Sequence, residues 1–337
     1  MKHSETPTDP NLIKTANTKD RRSLFLTAFA VSLMSIGCGC TKDASPTDIE
    51  LIGEASVFSE IPDHAFKNRS VVETSLVNVD GSLLAFYDHE WTGKMFRVPL
   101  QTTLLETVSP HLVIESARFP YTISQGETLF NFATVDGNVY LWKSLDLGLT
   151  WMKINGGRPV LRRSEDRSSI YHQLWNVAVD IADDGTWHLL VESSDSTPDQ
   201  REVGLAYSHA RLVDDEISFD ENRSEIHVVK GGGNPWIKHI PGKGIFAIHG
   251  QAYTPNKGFG TEWYITASTI SAGLNPGGTT WTTHTDKFIV GTKGVHVCDP
   301  HIVEIDGNLI LSLSFGQGST RLLSAPKTSQ DLFESLK

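Results

Sequence analysis

An all-β fold, a five-bladed β-propeller, is predicted by three observations on the sequence. An apolar run, a Gly-containing turn and a second apolar run recur five times, with the turns at residues 81, 126, 185, 244 and 307. Those turns lie 45, 59, 59 and 63 residues apart, close to the roughly 50 residues that one four-stranded blade occupies. The composition, with Gly 28 and Trp 8 and no long amphipathic period, belongs to closed β architectures. A β-sandwich or a solenoid fits less well, because no linker interrupts residues 50–337.

The five copies span residues 73–87, 118–142, 176–191, 234–249 and 299–313. Asp-Gly and related pairs at the turns supply the positive φ that tight hairpins need. A third strand ending in small or hydroxyl residues follows each hairpin, at 94–100, 139–144, 203–208, 263–268 and 321–324. Residues 54–61 precede the first hairpin and are placed to add the outer strand that closes the ring against the last blade.

The N-terminus reads as a targeting segment. Arg21-Arg22 precede an apolar run over residues 24–37, which is shorter than the roughly 20 residues a membrane-spanning helix needs. Ser35-Ile36-Gly37 before Cys38 resembles a bacterial lipobox, and residues 21–26 resemble a twin-arginine signal. A cut before Cys40 fits less well than one before Cys38. The expected organisation is a signal peptide at 1–37, a linker at 38–50 rich in small and polar residues, and a propeller domain at 51–337. Lipidation of Cys38 would tether the mature chain to a membrane face of the bacterial cell envelope; bare secretion is the other outcome.

The leader carries five Lys and Arg against three Asp and Glu, so its removal takes the formal charge from −11 to −13. An acidic surface without a basic patch argues against a nucleic-acid partner. With three cysteines in 337 residues, no disulfide framework holds the domain together. A monomer touching the membrane only through its lipid is the expected state.

In a propeller the first strand of each blade lines the central channel, so the residues that open those strands converge at one mouth. They are Glu73, Arg118 with Phe119 and Pro120, Trp175 with Asn176, Asn234-Pro235-Trp236, and Asp299-Pro300-His301. Carboxylates, amides, an arginine and tryptophans around one pit suit a sugar, whose rings stack on aromatics while fixed polar groups read its hydroxyls. Hydrolysis of a glycosidic bond needs two carboxylates, one protonating the leaving oxygen and the other activating water or attacking the anomeric carbon. The candidates are Glu73, Asp180, Glu192 and Asp299, with Arg118, Trp175, Asn176, Asn234, Trp236 and His301 as substrate-binding residues. No Cys/His spacing suggests zinc.

Three resemblances follow from the residues themselves. Residues 144–151, Ser-Leu-Asp-Leu-Gly-Leu-Thr-Trp, match the S-x-D-x-G-x-T-W pattern of the Asp-box, a structural hairpin motif of sialidases and other propellers. The blade pattern over residues 70–325 is similar to the five-bladed glycoside hydrolases related to arabinanases, xylosidases and invertases. It rests on residues 141–151 with 157–161, on 180–192 with 204–208, and on Asp299-Pro300 before an Asp-Gly turn. That resemblance implies a general base on blade one, a modulating Asp on blade two, an acid Glu on blade three and a channel calcium beside a histidine such as His301. Here blade one opens with Glu73, and blade two reads Arg118-Phe119-Pro120 where Arg-Asp-Pro belongs. Arg118-Phe119-Pro120 also resembles the Arg-Ile-Pro opening of sialidases, which implies an arginine gripping a substrate carboxylate. The leading expectation is a lipid-anchored glycoside hydrolase acting through channel carboxylates. A surface lipoprotein that binds glycan or scaffolds without cutting, and a sialidase, are the alternatives.

Overall fold

In the computed structural model, the described residues are 49–336 apart from 62–65, 67–70, 90–91, 101–109, 197–201, 253–262, 285–287, 292–295 and 316–318. They form a five-bladed β-propeller, each blade an antiparallel sheet. The inner strands of blades 1 to 5 are Val71–Val79, Arg118–Gln125, Gln173–Ile181, Gly232–Ile240 and Val297–Ile305. Each contacts the inner strand of the next blade, and the fifth contacts the first, so the ring is closed.

The second strands are Ser82–His89, Thr128–Val135, Thr186–Ser194, Gly244–Ala252 and Asn308–Phe315. The third are Met95–Leu100, Asn138–Ser144, Val203–Arg211, Trp263–Ser271 and Ser319–Ala325. Short fourth strands complete blades 1 to 3 at His111–Ile114, Met152–Lys153 and His227–Lys230. Inner strands have a blade on either side, so both of their faces are covered and the alternation of polar and apolar residues largely disappears. Val71–Val79, for instance, is buried everywhere but at Asn78. The filling is aromatic: between blades 2 and 3 Phe130 meets Trp187 edge-on at 5.1 Å, and within blade 4 Trp236 meets Phe246 at 5.3 Å.

Asp80-Gly81 and Asp306-Gly307 turn their hairpins with both residues at positive φ, 49° and 79° in the first pair and 49° and 72° in the second. Two consecutive positive φ values give the twist that joins antiparallel strands. Residues 144–151 fold back on themselves. Asp146 accepts hydrogen bonds from the Thr150 and Leu149 amides and from the Ser144 and Thr150 hydroxyls, while Trp151 Nε1 donates to the Gly148 carbonyl at 3.0 Å. Burial is the largest single influence and raises the Asp146 carboxyl, but those donors together outweigh it and bring the carboxyl down to about 2.

Both chain ends clasp the ring. Ile49–Leu51 pairs with Ile289–Gly291 at the outer edge of blade 4, so this strand already occupies residues 49–50 of the segment read as linker. Ser59–Glu60 then pairs with the third strand of blade 5, within the 54–61 segment expected to close the ring. The sequence reading contained no helix, yet Ser329–Ser335 is one. Thr328 and Asp331 cap it reciprocally, a start signal legible as Thr-x-x-Asp. It buries Leu332 and Phe333, the latter 5.5 Å from the Phe246 ring of blade 4. Among the described residues no helix is long and apolar enough to cross a membrane.

Candidate functional site

Every inner strand breaks register with its neighbour near its start. The ladder slips at Glu73-Thr74, Phe119-Pro120, Trp175-Asn176, Asn234-Pro235 and Asp299-Pro300. These are bulges, which put an extra residue into one strand and re-aim its side chains. In four of them the first residue has positive φ: Glu73 52°, Phe119 56°, Asn234 48° and Asp299 51°. Asn and Asp tolerate that region, whereas for Glu and Phe it costs on the order of 1–3 kcal/mol. Proline follows in three bulges, where the missing N–H breaks no ladder bond.

The bulges surround an open pit of about 280 Å³ at that end of the channel, lined by Glu73, Phe119, Asn176, Asn234, Asp299 and His301 among others. Tyr121 makes the floor. Its ring lies 4.8 Å from that of His301, and its hydroxyl reaches the backbone of Val179 and Ile237 in blades 3 and 4, with burial raising its pKa well above the usual phenol value.

A hydrogen-bonded chain runs around the acidic wall. Glu192, buried on the second strand of blade 3, accepts on Oε2 from Asn176 Nδ2 at 2.8 Å and from the Asn234 amide at 3.0 Å. Asn234 Nδ2 donates to Asp299, and Asp299 is in hydrogen-bond contact with Glu73. Glu73 and Asp299 are each only 7% exposed. Burial, then the charges of Asp299 and Glu192, push the Glu73 carboxyl well above its usual range. Asp299 rises to about 6 through burial, against hydrogen bonds from Ser314 and Cys298 that favour its charged form. Among the described residues no Lys or Arg lines the pit.

Glu73, Asn176, Asn234, Asp299 and His301 are thus brought together in the pit, with Glu192 just behind the two amides. His301 is tied to the seam between blades 5 and 1, its Nδ1 accepting from the Leu76 amide at 3.2 Å and its Nε2 facing Ser75 Oγ at 3.1 Å. Burial takes its pKa down to about 3, so the ring is neutral.

The structure leaves four expected residues outside the pit. Asp180 stands at the other end of its strand, bonded to Lys238 Nζ at 3.1 Å and the His239 amide at 2.7 Å; four residues of extended chain separate it from Asn176. Trp236 follows the blade 4 bulge, which turns its ring into the core against Phe246. Trp175 is half-buried beside the pit and anchors blade 2 through its carbonyl, which accepts from Thr134 Oγ1 at 2.7 Å. Arg118 lies against Gly93 and acts on Asp88, not on Glu73. Cys38 lies outside the described residues.

Asp88 was not among the sequence candidates. It is buried in blade 1, receives the Gly93 amide on both oxygens at 3.1 Å, and is pushed by burial to about 6 despite that donor and Arg118. A carboxylate directly after the apolar run 83–87 was its only signal. Tyr121 was missed as a pit residue, whereas Phe119, one of the strand-opening residues expected at the channel mouth, does line the pit; the recurring X-Pro pairs at strand starts mark the bulges. The channel calcium implied by resemblance does not fit these side chains: Glu73 and Asp299 contact each other, and among the described residues no group of three acidic, His or Cys side chains is arranged to hold a metal.

No family model and no curated protein matches the chain. Solved structures do, and those similar to it are five-bladed glycoside hydrolases of families 43 and 62. An endo-arabinase from Bacteroides thetaiotaomicron VPI-5482 aligns at 10% identity and TM-score 0.55 over 81% of this chain and 99% of its own. An α-L-arabinofuranosidase from Podospora anserina, in complex with cellotriose, aligns at 10% identity and TM-score 0.54 over 79% and 94%. A thermostable family-43 glycoside hydrolase aligns at 11% identity and TM-score 0.52 over 75% and 88%.

Proposed function

We propose that the chain is an exported glycoside hydrolase that cleaves a neutral glycan at the pit, with Glu73 and Asp299 as the reacting carboxyl pair. The observation that carries this reading is the gathering of two buried acids with raised proton affinities in the pit at the open end of the channel. Burial and the neighbouring carboxylates raise the Glu73 carboxyl well above its usual range, which suits it to donate to the leaving oxygen. Asp299, with a pKa of about 6, is ionised above that pH and takes the proton of the water that adds to the anomeric carbon. The glycosidic oxygen replaces Asp299 as the partner of the Glu73 proton. Asn176 and Asn234 are placed to hold hydroxyls.

Neutral sugars are favoured over anionic ones because the pit gathers acids and, among the described residues, no cation lines it, so a sugar carboxylate would meet repulsion. This counts against a sialidase. The similarity to arabinan- and arabinoside-cleaving enzymes makes arabinofuranosides and xylosides the first probes.

Glycan binding without cleavage is the second reading. Two-carboxylate hydrolysis uses groups about 5–10 Å apart, and a pair in direct contact is closer than that. A panel of nitrophenyl glycosides and arabinan or xylan oligosaccharides, assayed for turnover and calorimetric binding with wild type, Glu73→Gln and Asp299→Asn, separates the two. Loss of at least a hundredfold in turnover with binding retained supports hydrolysis. Binding by an inert wild type supports the second reading, and turnover indifferent to Glu73→Gln removes Glu73 from the mechanism.

Export rests on the leader at 1–37, and lipid anchoring at Cys38 on the lipobox-like residues before it. The mature protein is then a monomer held at the bacterial cell envelope by its lipid. A gel shift on inhibiting the lipoprotein signal peptidase is the expected result, and its absence leaves plain secretion.

A further inference from the structure

The bulges put a polar group into the pit from four blades: Glu73, Asn176, Asn234 and Asp299. Blade 2 puts in Phe119. Its φ of 56° is a backbone state that a bulky side chain adopts only where its surroundings enforce it. Asn or Gly would occupy the same bulge without that strain, as Asn234 does in blade 4. The ring is also partly open to solvent: Phe119 is half-buried, unlike the fully covered Phe130 and Phe132 further along the hairpin. A strained aromatic at a pit wall, opposite a wall of hydrogen-bonding groups, matches the two-sided chemistry of a sugar ring. Such a ring has one face of C–H groups and a rim of hydroxyls, and the first lies on aromatic surface while the second takes hydrogen bonds.

We propose that Phe119 is a sugar-contacting residue, the platform on which the C–H face of one neutral sugar ring rests while Glu73, Asn234 and Asp299 hold its opposite rim. This deepens the glycan reading above and rests on it. The platform fixes which face of the ring the acids meet, and it makes the pit a site for a single ring with an uninterrupted C–H face.

The test compares wild type with Phe119→Asn and Phe119→Tyr by calorimetric binding of xylotriose and of arabinotriose, with the melting temperature of each variant. Phe119→Asn removes the ring but suits the positive φ, so the melting temperature is expected to hold or rise while the Kd for the bound trisaccharide weakens at least tenfold. Phe119→Tyr is expected to keep the wild-type Kd within threefold. A lower melting temperature for Phe119→Asn with unchanged binding would make the ring a packing residue and overturn the platform alone. Equal binding by all three proteins with unchanged stability also overturns it. If wild type binds neither trisaccharide nor any neutral glycoside of the wider panel, the glycan reading falls and the platform with it.

Discussion

Glu73 and Asp299, from the first and the last blade, meet in one hydrogen bond inside the pit. Two buried acids in contact hold on to a proton that the unfolded chain would release. Between the unfolded Asp value near 4 and a folded value of about 6, the folded state binds more protons, so stability falls as pH rises through that window. Glu73 extends the fall to higher pH. Glu73→Gln is expected to flatten the decline in melting temperature between pH 5 and 8, and an unchanged slope would mean that the pair does not share a proton.

Buried neutral histidines act in the opposite sense. His301 is held down to about 3, and His249 and His188 to about 4, by burial first of all. Unfolded histidines bind protons from about pH 6.5 downward, so stability is lost as pH falls from 6.5 towards 4, by about 3 kcal/mol for each such histidine. Denaturant titrations at pH 7, 5.5 and 4.5 on wild type and His249→Gln check this, the variant being less acid-sensitive.

Gly233 has ordinary backbone geometry but no room beside it. A Cβ there would come within 2.9 Å of Glu192 Cδ and 2.8 Å of the Trp263 ring. Gly233→Ala is expected to displace the Glu192 carboxylate from Asn176 and Asn234, lowering turnover or glycan affinity at least tenfold for about 1–3 kcal/mol of stability. Wild-type binding in this variant would show that Glu192 does not set the position of the two amides.

Asp180→Asn should leave turnover and KM within twofold of wild type. The carboxylate is engaged by partly exposed Lys238 and by the His239 amide, away from the pit, and the loss is about 1–2 kcal/mol of stability. A large drop in kcat would return Asp180 to the site.

Gly148→Ala is expected to be among the most damaging small substitutions in blade 2. The added Cβ would meet the Phe86 ring at 2.5 Å, at a φ of +80°, which combines overpacking with a strained backbone for roughly 2–4 kcal/mol. Thermal melts of this variant measure how far the 144–151 loop is a clasp between blades 1 and 2.

Much of the ring was legible in the sequence because hairpin turns carry their own chemistry: Asp80-Gly81 and Asp306-Gly307 announce two positive φ values in a row, and the strands follow on either side. The pit was legible only in part. Glu73, Asn234 and Asp299 open their strands, so convergence at the channel predicts where they lie. Asp180 and Trp236 do not follow from that rule, since strand polarity sends the first to the far end and a one-residue bulge turns the second into the core. Asp88 owes its importance to Gly93, in the loop that follows its own strand, and to Arg118, which comes near only once blades 1 and 2 pack. The closing helix had a readable cap but too short a period to stand out against so many strands.

The strand Ser59–Glu60, laid against the third strand of blade 5, also sets an order of events. Its partner lies far along the chain, Ser59 facing Ser324 at a separation of 265 residues, so the Ser59–Glu60 strand must wait, unpaired, until the third strand of blade 5 has been made. Glu73 and Asp299 belong to blades that become neighbours only at that moment. A truncated or stalled chain therefore presents an open sheet edge, a target for proteolysis and aggregation, and has no assembled carboxyl pair, so chemistry at the pit is restricted to molecules whose synthesis has run to completion.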